Sequence, residues 1–270
     1  MSAHPLLAVV GASGGLGCST LTVALARRAE VHRGAAFAVD LAPGRGGLDV
    51  AAGIDHLPGL RWADLQAARG AMDGLALRRA LPGLRGVHVL SFGLGPRAPV
   101  EEIPADPPPD TVAAVVAALV SVAPVVLDAP DIPRLVPLWP LRPRVVLLTG
   151  LHAMALADLD ASVRALERAP EAVRAATVVV TRGRRAGPGL RQSIEDHVGL
   201  SVAGHLADDA KVAAGAERGD WPGHARDESR RLAEALWCDV VEGRPESPSR
   251  SRLRRERPGD ASGGRAGWVA

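Results

Sequence analysis

Two hydrophobic rhythms alternate along this chain. Short, almost unbroken apolar runs occupy residues 6–10, 35–40, 86–92, 124–127, 144–149, 177–181 and 201–206. They are rich in β-branched residues and too short for helices. Unbroken rather than alternating hydrophobicity is what a strand covered on both faces requires. Between them, apolar positions recur every three or four residues over 19–30, 60–81 (broken near Gly70), 111–122, 152–168, 189–198, 209–217 and 227–241. That spacing predicts helices with one buried face. Strands and helices in turn imply right-handed crossovers and an α/β fold: a mostly parallel, seven-stranded sheet with helices on both faces.

Two stretches break the rhythm. Residues 93–110 are rich in proline and polar side chains and read as a surface loop or a remnant linker. From Gly243 onward the chain is Ser, Pro, Arg and Gly, with Arg250, Arg252, Arg254, Arg255 and Arg257 close together. Such a composition cannot bury apolar surface, so residues 1–242 read as the folded domain and 243–270 as a disordered tail. The tail's charge reads as a solvated run, with weak contact to acidic lipid or nucleic acid as the alternative. Leu253 is its one apolar anchor among the arginines, which predicts no direct insertion into a membrane.

Composition narrows the classes. The chain has 270 residues, 47% of them hydrophobic, enough for a sizeable core. A formal net charge of +2 argues against a wholesale nucleic-acid binder. Cys18 and Cys238 are too few for a disulfide framework, and no CxxC occurs, which points to a reducing, cytoplasmic setting. The first ten residues lack the basic segment and the apolar length of a signal peptide. No run approaches the roughly 18 apolar residues of a membrane span. The histidines are scattered without HxxxH or HExxH spacing, so they predict no metal constellation.

The chemistry concentrates at the first strand. Residues 6–22 read LLAVVGASGGLGCSTLT: a buried strand, a glycine turn (Gly11, Gly14, Gly15, Gly17), then Ser19 and Thr20 opening a helix. Glycines let backbone N–H groups approach an anion closely, and a helix N-terminus favours negative charge. Gly11, Ser13, Gly14, Gly15, Leu16, Gly17, Cys18, Ser19 and Thr20 are therefore the candidate phosphate-binding residues. A phosphate loop ordinarily carries lysine before its hydroxyl residue. Here that position is Cys18, and Lys211 is the only lysine in the chain. Cys18, at a helix start, reads as a small space-filler, with a low-pKa thiol as the alternative.

GASGGLG also resembles the cofactor turn of short-chain dehydrogenases, with Asp40 placed for a ribose. That class uses a tyrosine–lysine pair, and this chain has no tyrosine. The hydroxyl pair Ser19–Thr20 favours the other resemblance, to the deviant phosphate loop of the ParA/MinD superfamily. Ser13 to Thr20 (SGGLGCST) keeps that family's glycines and hydroxyls and replaces both of its lysines. The later motifs follow in order. Asp40 ends the second strand, where the family has an acidic switch residue; its bland reading is a turn-capping aspartate. Val125 to Pro130 (VVLDAP) resembles the Walker B strand, with Asp128 at its end. Thr181 or Arg182 stands where the family has an asparagine near adenine, and residues 201–209 resemble the late strand and its turn, with Ala207 in place of proline.

The resemblance implies a P-loop NTPase-like fold, ATP with Mg²⁺, and Ser19, Asp40 and Asp128 around the metal. Within the superfamily the loop is most similar to the CpaE/TadZ-like branch, including actinobacterial septum-site-determining-like proteins. That branch implies a homodimer working with membrane-associated pilus, secretion or division machinery, without specific nucleic acid. It places a cytoplasmic protein at the inner face of the plasma membrane. Its members usually carry an N-terminal receiver-like domain, so the resemblance implies that this domain is missing or the start truncated. Without either lysine, hydrolysis is expected to be weak or absent, with Asp40 and Asp128 the catalytic candidates. Arg45 and Arg182 are candidate replacement cations. An active partitioning or cell-division ATPase is the alternative, and a dinucleotide-binding oxidoreductase relative is less favoured.

Overall fold

A computed structural model describes residues 4–43, 46–93, 106–183, 189–218, 220–223 and 227–243. The strands are β1 (Leu6–Gly11), β2 (Ala36–Asp40), β3 (Gly83–Leu84), β4 (Val87–Leu90), β5 (Val125–Ala129), β6 (Arg144–Thr149), β7 (Val178–Gly183) and β8 (Val202–Ala207). They form one sheet in the order β3-β4-β2-β5-β1-β6-β7-β8. Every predicted strand is present, and all pair in parallel. The eighth, β3, corrects the expected number. It is two residues long and pairs antiparallel with β4. Arg85 and Gly86 turn the chain with φ of 52° and 83°, the left-handed pair a two-residue hairpin needs. Two residues are too few to leave a periodicity in the sequence.

The helices are α1 (Cys18–Arg33), α2 (Leu48–Ala51), α3 (Gly74–Ala80), α4 (Pro109–Val120), α5 (Ala153–Leu166), α6 (Glu171–Ala175), α7 (Leu190–Val198), α8 (Ala210–Glu217) and α9 (Glu228–Leu236). Each strand sends alternate side chains to opposite faces. Leu6, Ala8 and Val10 meet one layer, which holds Val112, Val115, Val116 and Leu119 of α4 and Leu159 of α5. Leu7 and Val9 meet the other, built on Leu21 and Leu25 of α1 and on Leu232 and Leu236 of α9.

Five segments differ from the periodicity. The helix expected over 60–81 is a single 3-10 turn at Trp62–Leu65 followed, after Gly70 at φ 76°, by α3. Asp73 starts α3 by accepting N–H bonds from Leu75 and Ala76. Residues 133–141 form a 3-10 helix despite Pro137 and Pro140 inside it. The short α2 and α6 also lack a readable period. Beyond Leu236, α9 passes into a π-helical turn at Trp237–Val241 rather than continuing as α-helix. Most of the proline-rich loop and the arginine-rich tail lie outside the described residues.

Candidate functional site

Strand β1 ends in the middle of the sheet, and the loop after it is fixed by glycine geometry. Gly15 and Gly17 have φ of 77° and 85°, a conformation that costs any L side chain about 1–2 kcal/mol. A Cβ on Gly11 would lie 2.8 Å from both the Cys18 Sγ and the Ser13 carbonyl. Gly17 is the residue before α1; it has no side chain to cap the helix, and no acidic residue stands in the first turn. The helix therefore presents first-turn N–H groups that have no intrahelical acceptor. Gly11, Ser13, Gly15, Leu16, Gly17, Cys18, Ser19 and Thr20 line a cleft of about 290 Å³ with Ala129 and Pro130. Gly14 belongs to the same loop but is exposed and does not line the cleft.

Parallel pairing of β1 and β5 brings the candidate metal residues to this cleft. Ser19 Oγ donates a hydrogen bond of 2.5 Å to Asp128 Oδ2 across 109 residues of chain, at the short limit for a hydroxyl on a carboxylate. Asp128 is only 4% exposed. A hydroxyl oxygen and a carboxylate beside a helix N-terminus form an oxygen-only donor set, which suits Mg²⁺ held together with phosphate oxygens. The cleft lined by backbone donors that a Cβ at Gly11 would obstruct fits such a group.

Asp40 sits beside Asp128 in the β2–β5 register. Its carboxylate accepts N–H bonds from Ala42 (2.9 Å) and Leu48 (3.0 Å). The turn-capping role is thus the one made by its oxygens. Burial pushes its carboxyl up to about 7, the two N–H bonds oppose this, and the nearby carboxylates of Asp128 and Asp49 add to the rise. Behind it stands an ion pair the sequence did not reveal. Arg61 Nε donates to Asp49 Oδ2 at 3.0 Å with both side chains almost wholly buried. Arg61 also donates to the carbonyls of Gly59 and Leu57, and Trp62 Nε1 donates to the Asp40 carbonyl at 2.6 Å. A Cβ on Gly93 would stand 2.3 Å from Asp49 Oδ2. The segment that reads as a helix therefore fastens the floor below Asp40 instead. Nothing in the spacing of residues 60–62 (Leu-Arg-Trp) marks this pairing.

Arg182 reaches the loop from β7. Its Nη1 donates to the Leu16 carbonyl at 3.0 Å and its Nη2 lies 3.1 Å from Asp208 Oδ1. A Cβ on Gly17 would come within 2.5 Å of Arg182 Nη1. Arg45 lies outside the described residues. Thr181 Oγ1 and His205 Nδ1 are 2.9 Å apart beside Arg182.

A parallel sheet whose glycine loop opens a helix opposite an aspartate at the neighbouring strand end defines a P-loop NTPase-like architecture. It is the architecture of ParA and MinD ATPases. The chain superposes on a ParA family ATPase from Chlorobium tepidum with a TM-score of 0.68 and 14% identity, over 87% of this chain and 98% of that one. It superposes on the MinC:MinD cell division protein complex of Aquifex aeolicus with a TM-score of 0.62 and 16% identity, over 85% and 93%. In sequence it is 45% identical over 86 residues to an uncharacterised protein of Mycobacterium tuberculosis, a stretch that is 32% of this chain and 23% of that protein. The chain thus matches about a quarter of that relative's length. No family model matches. Among the described residues, no helix is long and apolar enough to cross a membrane.

Proposed function

We propose that the chain is a nucleotide-binding positioning protein of the CpaE/TadZ-like kind, holding ATP and Mg²⁺ in the β1–α1 cleft with weak or absent hydrolysis. The observation that carries this reading is the Ser19–Asp128 hydrogen bond, which joins the end of the glycine loop to a strand-end carboxylate. Backbone N–H groups of residues 15–20 would hold the phosphates, and Ser19 and Asp128 the metal, with Asp40 behind them. Bound Mg²⁺ would neutralise charge between the outer phosphates. No lysine stands in the loop to do so. Among the described residues Arg182 is a cation tied to it, but its donors rest on Leu16 and Asp208. A cation committed to the loop backbone supports binding better than turnover. On this reading the protein is a cytoplasmic homodimer, recruited by membrane-associated pilus, secretion or septum machinery. The dinucleotide alternative is weakened because both Asp40 oxygens already accept backbone N–H bonds.

Calorimetry with ATP–Mg²⁺ and with NADP⁺ tests the reading. ATP is expected to bind in a Mg²⁺-dependent way with negligible phosphate release, and Asp128→Asn to weaken it about 100-fold, a loss of the size that charged, metal-linked contacts carry. Rapid turnover would refute the weak-hydrolysis claim. Binding of NADP⁺ but not ATP would overturn the nucleotide assignment.

A further inference from the structure

We propose that His32, Glu234 and Cys238 form a binding site for a borderline-soft divalent cation of the zinc class. The three side chains come from the last turn of α1 and from the α9–π-helix junction. One potential ligand atom from each lies within 4.8 Å of the other two. His32 Nε2 is 3.0 Å from Glu234 Oε1, and Cys238 Sγ is 3.9 Å from the same oxygen. Tetrahedral coordination at zinc bond lengths sets these edges at about 3.3 and 3.6 Å. These two separations are within a few tenths of an ångström of what one ion would impose, and the His32–Cys238 pair, within 4.8 Å, would close around it.

The surroundings fit a metal ligand set. His32 Nδ1 lies 4.0 Å from Glu242 Oε1, beyond hydrogen-bond distance but near enough for that carboxylate to favour a charged or metal-bound imidazole. The His32 ring stacks on Trp237 with centroids 5.8 Å apart and an angle of 19°, which limits its rotation. Glu234 presents its other oxygen to Arg28 Nη1 at 3.6 Å, leaving Oε1 directed at His32 and Cys238. Arg33 faces Glu242 at 3.7 Å. Glu234 and Cys238 are one helical turn apart, and Cys238 lies in the π-helical turn, a geometry frequent at functional sites. Imidazole, thiolate and a single carboxylate oxygen select zinc, cobalt or a similar ion over Mg²⁺ or Ca²⁺. Three protein ligands leave a fourth position for water or an outside group. The ion would fasten the far end of the loop-bearing helix to the C-terminal helix.

Cobalt is the probe. Titrating the reduced, full chain with Co²⁺ is expected to give a near-ultraviolet thiolate-to-cobalt band that saturates at one equivalent and is displaced by Zn²⁺ but not by Mg²⁺. Cys238→Ser is expected to abolish the band, and Cys18→Ser to leave it. His32→Gln and Glu234→Gln should each weaken cobalt binding by at least about tenfold, as loss of ligands or their supports does. Zinc should raise the melting temperature of the unaltered chain and not that of His32→Gln, with circular dichroism confirming that each variant is folded. No band under saturating cobalt, or a band that survives Cys238→Ser, would overturn the site.

Discussion

At its N-terminal end, α1 starts from Gly17 in the left-handed conformation with no acidic residue in its first turn; at the other end it closes on Gly34 with His32 and Arg33 in the last turn. The first end carries the positive pole of the helix and leaves its N–H groups facing a cleft. The second carries the negative pole and is met by its own histidine and arginine, which in turn meet Glu234 and Glu242. Charges around the first end are enclosed: Asp40, Asp49, Arg61 and Asp128 are all buried. Those at the second are partly in water. One helix thus faces a cleft with its first-turn N–H groups where the fold encloses charge, and an ionic cluster where solvent screens it. Enclosed charges should matter far more to stability than screened ones.

Removing one partner of the enclosed pair gives the largest expected effect. Arg61→Met leaves Asp49 buried without its cation and should cost about 3–5 kcal/mol of unfolding free energy in urea titrations. An effect below 1 kcal/mol would place that pair with the screened ones. Next comes Asp40, whose folded carboxyl is held up to about 7. The folded protein then binds a proton that the unfolded chain releases near pH 4. Stability is greatest at the low end of that window and falls by a few kcal/mol as pH rises toward 7. The stability difference between the unaltered chain and Asp40→Asn, followed from pH 4 to 8, isolates this slope; a flat difference would show that the carboxyl is not enclosed. Gly17→Ala should cost at least about 1–2 kcal/mol through its backbone conformation. Its Cβ would also push Arg182 off the Leu16 carbonyl, so ATP binding should weaken together with melting temperature. The smallest change is at the far end of α1. Arg33→Gln, which removes a half-exposed partner of Glu242, should alter stability by less than about 1 kcal/mol.

Much of the fold was legible because strands buried on both faces must be continuously apolar. The seven parallel strands are visible for that reason, and the glycine loop is visible because residues 15 and 17 need left-handed backbone. The rest rests on contacts between distant residues. Asp40 reads as a metal candidate with a turn cap as its bland alternative, and only the fold shows Ala42 and Leu48 donating to its carboxylate. Residues 60–65 carry helical spacing, yet Arg61 and Trp62 are bound to Asp49 and the Asp40 carbonyl, and those bonds override the local preference. The scattered histidines predict no metal constellation, while folding sets His32 against Glu234 and Cys238, more than two hundred residues away.

The sequence by itself determined the seven parallel strands and the longer helices between them, the glycine loop and the absence of a lysine in it, since periodicity, glycine and charge are local properties. Only the tertiary structure decided that Ser19 meets Asp128, that Arg182 is tied to the loop, and that a buried aspartate–arginine pair underlies the cleft. Those pairings depend on sheet order and burial, and no spacing along a chain encodes which distant carboxylate a side chain will find once water has been excluded between them.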